Sequence, residues 1–138
     1  MKSAAFFGEL SLHYRDGLSW ELHNPGAGWG FHTLEGIELS PPDGFVTDFA
    51  SIPRALWRIL PPTGNGANSA YGPAAVIHDW LYQSGQIWGE PIDRGWADDV
   101  FLESMKCLEV SKTIRWSMYL AVRAGGWLTW NRYRNGSG

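Results

Sequence analysis

A single cysteine among 138 residues, Cys107, excludes an intramolecular disulfide, and no Cys-x-x-Cys pair is present for zinc or redox chemistry. A chain of this length buries a core without such staples, so one domain over residues 1–138 is expected, at home in reducing surroundings. Positive charge is also scarce: 11 Lys and Arg against 14 Asp and Glu give a net charge of −3. That excludes long-range attraction to nucleic acid as a main mode of binding, although Arg115, Arg123, Arg132 and Arg134 make the C-terminal end locally basic. No apolar run is long enough for a signal peptide or a membrane span. Met1 to Gly8 turns polar at Glu9, and "RWSMYLAVRAGGWLTW" is interrupted by Arg123 well short of the roughly 20 residues a span requires. The synthesised chain is therefore expected to stay in the cytoplasm. Internal repeats and low-complexity tracts are absent too, apart from the terminal "NGSG".

What the chain has in quantity is aromatic residues and turns: nine tryptophans, 17 glycines and eight prolines. The first third alternates like half-buried β structure. Leu10, Leu12 and Tyr14, then "DG", then Leu18, Trp20 and Leu22 predict a hairpin with strands at about 8–14 and 18–23. Short strands continue through "WGFHTLEGIELSPPDGFVTDF", with "PPDG" as a turn. The period then changes. Ser51 ahead of Pro53 opens a short helix through "RALWRIL" that Pro61-Pro62 stops, and "TGNGANSAYG" reads as a loop. Helices are expected at about 73–83, 94–108 and 111–132, joined by a glycine-bearing connection over 84–93. The fold class is α+β: a small N-terminal antiparallel sheet at about 4–50, then three to four helices over 52–133 with a central antiparallel pair.

Chemistry concentrates in that pair. Asp98 shares a helical face with Phe101, Leu102 and Met105, while Asp99, Glu103 and Lys106 fall on the polar side. Asp98 is thus the buried carboxylate and needs a partner. His78, in "AAVIHDWLYQ", is the best candidate: an antiparallel packing lets Asp98 fix one imidazole nitrogen and leaves the other as a base for water. Tyr82, four residues on, is placed to bond Asp98, and Asp79 points about 100° away, toward the glycine loop. There the carbonyls of Gly64, Gly66 and Gly72 could join Asp79 around a Ca²⁺ ion.

"HDWLY" followed by "ADDVF" resembles the paired helix motifs of the phospholipase A(2) superfamily, above all its small domain in parvovirus capsid proteins. The resemblance implies that His78 is the general base for water attack on an ester, that Asp79 binds Ca²⁺, and that Asp98 and Tyr82 support the histidine. It covers about residues 61 to 105 and lacks that superfamily's disulfides and glycine-loop pattern. A broader pattern, "FVTDFASIPRALWRILPPTG", "YGPAAVIHDWLY", "ADDVFLESM" and "MYLAVRAGGW", resembles an uncharacterised family of small bacteriophage and prophage proteins. It implies a phage origin, synthesis in the host cytoplasm and a place in or beside the virion or tail, without assigning an activity.

Plainer roles compete with each of these. His78 and Asp98 alone would make a latch between two helices, in a non-enzymatic phage structural or accessory protein. Asp48 serves either as a third site carboxylate or as an Asx-turn or cap, and Ser51 as a cap rather than a nucleophile, since no glycine elbow surrounds it. His13 and His23 face the polar side of their strands, and His32 has no visible partner. Trp116, Tyr119, Leu120, Trp127 and Trp130 are expected to pack the last helix on the sheet; the alternative is an aromatic face for a lipid membrane surface or another virion protein.

Overall fold

The computed structural model describes residues 3–17, 19–49 and 71–135. The helix expected at "RALWRIL", Ser51 and the loop carrying Gly64 and Gly66 lie outside them.

Eight short strands and three helices are described, in the order β1 (Ala5–Phe7), β2 (Leu12–Asp16), β3 (Ser19–Leu22), β4 (Gly30–His32), β5 (Glu38–Leu39), β6 (Val46–Thr47), α1 (Gly72–Ser84), β7 (Gln86–Ile87), β8 (Glu90–Pro91), α2 (Arg94–Cys107) and α3 (Lys112–Arg134). The class is α+β, as the change of period predicts. The strands form two antiparallel sheets rather than one, β1-β4-β5 and β2-β3-β6, and β7-β8 is a separate hairpin inside the glycine-bearing connection. The cause of the split lies at Gly8, whose φ of 76° bends the chain. The expected strand from residue 8 therefore starts only at Leu12, and Ala5–Phe7 pairs with β4 in the other sheet. The predicted hairpin is present as β2-β3, with Leu12 opposite Leu22, Tyr14 opposite Trp20 and a register shift between Tyr14 and Asp16; Leu22 is fully buried, but Tyr14 is exposed and its hydroxyl donates to the Gly17 carbonyl.

Asn24, which the sequence does not single out, ties the loops between these strands. Its Oδ1 accepts from the Trp29 amide at 2.7 Å, and its Nδ2 donates to the Pro41 carbonyl at 2.6 Å.

Helix α1 has apolar residues nearly all round, the pattern of a helix enclosed by other elements. Ala74, Ala75, Val76, Ile77 and Leu81 are buried, and α1 touches β6, α2 and α3. The side-chain contacts His78 to Asp98 and Tyr82 to Arg94 run in opposite sense along α1 and α2, so the pair is antiparallel. Helix α2 lies between its two helical neighbours and β1.

Helix α3 does not pack on the sheet as expected. Its buried stripe, Met118, Val122 and Gly126, closes over α1 and α2, with Trp130 edge-on to Tyr82 at 5.2 Å. Because α1 is apolar nearly all round, the side that α2 and β6 leave open needs a cover, and α3 supplies it. Trp116, Leu120 and Trp127 consequently stand exposed, joined by Leu128.

Candidate functional site

Asp98 is the centre of the helical layer. Its carboxylate is fully buried and accepts from side chains of all three helices. Oδ1 receives His78 Nε2 and the Tyr82 hydroxyl, each at 2.7 Å. Oδ2 receives Arg123 Nη1 at 2.9 Å and Arg94 Nη1 at 3.3 Å. Arg94 Nη1 also donates to the Val122 carbonyl at 2.9 Å, so the guanidinium is held by α3 as well as by the carboxylate. Burial by itself pushes the Asp98 carboxyl up, but the hydrogen bonds from His78, Tyr82 and Arg123 and the charge of His78 outweigh it and hold the group below the ordinary carboxylate value.

An ionised Asp98 is acceptor-only, so the proton on the shared edge belongs to His78 Nε2. In the neutral imidazole, Nδ1 is then the basic nitrogen. The ring is clamped by Phe101, stacked at 4.5 Å, and by Tyr82 at 4.3 Å. Tyr82 reaches Asp98 because α3 carries Gly126 opposite it: a Cβ there would collide with the Tyr82 hydroxyl.

The sequence reading brings His78, Asp98 and Tyr82 together, and the structure places all three within hydrogen-bond reach. Arg94 and Arg123, which complete the carboxylate's shell, are missed by sequence reasoning. For Arg94 a signal existed, since it stands four residues before Asp98 on the same helix. For Arg123 none did.

Asp79, expected to face a cation, has hydrogen-bond donors at one of its oxygens. It is fully buried, and its Oδ2 accepts from the Thr47 hydroxyl at 2.6 Å and from Gln83 Nε2 at 3.0 Å. These two bonds tie Asp79 on α1 to Thr47 on β6 and to Gln83 one helical turn on. Among the described residues, no three His, Cys, Asp or Glu side chains are grouped to hold a metal ion. Gly72 opens α1, whereas Gly64 and Gly66 lie outside the described residues.

Among the remaining candidates, Asp48 is half-buried on the Asp79 side, where the Tyr133 phenol feels both charges: burial first, then Asp79 and Asp48, push it up to about 12. His13 and His23 pair ring to ring at 5.7 Å, and His32 has partners the sequence does not show, Glu38 at 3.7 Å and the Phe7 ring.

A family model described as a protein of unknown function, DUF1353, matches residues 27–122. The chain belongs to the DUF1353 family. No curated protein and no solved structure matches it. The matched DUF1353 span runs from Ala27, shortly before β4, to Val122, so it contains Asp79, His78, Tyr82, Arg94 and Asp98 but stops one residue before Arg123. No described helix of this DUF1353 chain is long and apolar enough to cross a membrane.

The buried phenols give an expected pH response. Tyr71 and Tyr82 are raised above 10.0 by burial, Tyr82 further by the Asp98 charge, and half-buried Tyr133 follows. Unfolded phenols ionise near 10, so the folded state holds more protons above that pH. Stability is therefore complete below about pH 9 and falls as pH rises beyond 10, by up to about 1.4 kcal/mol per pH unit for each of the buried phenols Tyr71 and Tyr82 and by less for the partly solvated Tyr133. Thermal melts across this range, followed with tyrosinate absorbance, check it; Tyr71 and Tyr82 ionising while the near-ultraviolet dichroism is intact would contradict their burial.

Proposed function

We propose that this protein is an ester hydrolase in which His78 is the general base. The observation that carries the reading is the 2.7 Å contact between His78 Nε2 and Asp98 Oδ1, with Tyr82 on the same oxygen. Asp98 accepts the hydrogen bond of Nε2–H, holds the ring in one tautomer and stabilises the imidazolium that forms when water gives a proton to Nδ1 and its oxygen bonds to the ester carbonyl carbon. The imidazolium then returns the proton to the departing alkoxide. Tyr82 and the two arginines fix the carboxylate and are positioning residues. The likeness of "HDWLY" and "ADDVF" to phospholipase motifs names the substrate class, a lipid ester, and the broader sequence pattern supports a phage or prophage origin with the host membrane as target. The exposed Trp116, Leu120 and Trp127 lie along one side of α3, which suits an interfacial contact with lipid. No step is routed through Ca²⁺; the described partners of Asp79 Oδ2 are Thr47 and Gln83.

A second reading, a non-enzymatic phage component, draws on a specific observation. Asp79, bonded to Thr47 and Gln83, has a structural use, so the adjacent His-Asp pair ties α1 to α2 on one side and to β6 on the other.

The test is fatty-acid release from phospholipid vesicles by the full chain, with Ca²⁺ and with EDTA. Release is expected in both, lost in His78→Gln at temperatures where that variant is folded. Release that EDTA abolishes would restore the metal, and none from folded wild type under either condition would leave the latch.

A further inference from the structure

A second site lies away from Asp98, in a cleft of about 370 Å³ between the β7-β8 hairpin, the start of α2 and the turn before β5. That volume suits a small molecule. Its apolar wall is Ile87, Ile92 and two indoles, Trp88 and Trp96, and its charges are Glu90 and Asp93. Glu35 adds a third carboxylate at the margin, accepting from Trp96 Nε1 at 3.0 Å and fixing that ring. No Lys, Arg or His is among the described residues of the lining.

Trp88 is the telling residue. It is 80% exposed, so folding gains little from it, yet it occupies the first central position of a two-residue hairpin turn with φ of 50°, followed by Gly89 at 83°. Such a turn favours asparagine or glycine, and a bulky side chain there is strained. A strained, solvent-facing indole on the rim of a cleft is kept for what it contacts.

We infer that this cleft binds a small organic cation of the quaternary ammonium class, its methyl groups against Trp88 and Trp96 and its charge balanced by Glu90 and Asp93. Electron-rich indole faces attract such cations, and the carboxylates add charge complementarity. The same carboxylates repel phosphate, so the free cation is the ligand rather than a phosphate-linked headgroup. The site is independent of His78.

The experiment is a titration of the full chain with choline, followed by the indole N–H resonances in proton–nitrogen NMR, the Trp88 and Trp96 signals being assigned from Trp88→Phe and Trp96→Phe. Saturable shifts of those two resonances are expected, with phosphocholine binding more weakly. Trp88→Gly should weaken choline binding by about tenfold. Its melting temperature should be unchanged or raised, because the turn is relieved, which separates lost binding from lost folding. The double variant Glu90→Gln, Asp93→Asn should weaken binding severalfold; equal binding by that variant, shifts produced by a neutral methyl glycoside instead of choline, or no shift of either indole would each overturn the inference.

Discussion

Asp98→Ala is expected to lose about 3–5 kcal/mol of unfolding free energy, a large share of what a domain of this size has. The mechanism is the stranding of donors. His78 and Tyr82 are fully buried and lose their shared acceptor, while Arg94 and Arg123 lose the charge that balances them, so groups from all three helices lose one common carboxylate. Asp98→Asn keeps the shape but supplies one acceptor where two are used. Whichever way the amide is turned, its NH₂ meets either His78 and Tyr82 or the two guanidiniums, so a loss of about 1–3 kcal/mol is expected. Denaturant unfolding at neutral pH measures both.

Acid offers a second readout of the same carboxylate. With its folded value held below 3.8, Asp98 contributes stability that is complete above 3.8 and lost as pH falls through the lower folded value. Asp98→Ala should flatten that part of the acid limb. A loss under about 1 kcal/mol at neutral pH, with an unchanged acid limb, would mean that the carboxylate does not hold the helices together.

How much of this was legible beforehand depended on how local the signal was. Asp98 could be told from Asp99 because a three- and four-residue spacing to Phe101, Leu102 and Met105 puts it on a buried face, and burial then demands a partner on the neighbouring helix. His78 and Tyr82 followed, being one helical turn apart. The hydrogen bonding of Asp79 was not legible for a physical reason: its partner Thr47 is 32 positions away on β6, and nothing in "HDWLY" shows that a hydroxyl reaches it. Arg123 was hidden in the same way, since it was read as a charge that interrupts an apolar run, while the fold folds it back 25 residues onto Asp98.

The sheet shows a different kind of limit. Alternation located the β2-β3 hairpin, but alternation does not say which strands share a sheet, and the bend at Gly8 decided that. In α3 the aromatic residues gave an apolar total without a direction. Only the residues at four-residue spacing, Met118, Val122 and Gly126, are buried, and the larger Trp116 and Trp127 are left outside. Size was a poor guide to burial there, because the helix approaches its neighbours along its smallest side chains.

That close approach yields the second large effect, one that reverses between adjacent residues. Gly125 and Gly126 both lie inside α3, where glycine is less favourable than alanine by about 0.5–1 kcal/mol. A Cβ on Gly125 meets nothing within 4 Å, so Gly125→Ala is expected to stabilise by about that amount. A Cβ on Gly126 runs into the Tyr82 hydroxyl and comes within 3.1 Å of Arg94 Nη1. Neither group can move freely, since one is bonded to Asp98 and the other to Asp98 and the Val122 carbonyl. Gly126→Ala is therefore expected to destabilise by about 1–3 kcal/mol despite its better helix propensity. The clash must be relieved by displacing Tyr82, so the double variant Gly126→Ala, Tyr82→Phe should cost less than the sum of its parts, the phenylalanine having removed the atom that collides. Melts of the two single variants and the double variant decide it: an additive cycle, or a stabilising Gly126→Ala, would show that α3 does not press on the Asp98 cluster, and the glycine would then have no part in holding Tyr82 against the carboxylate.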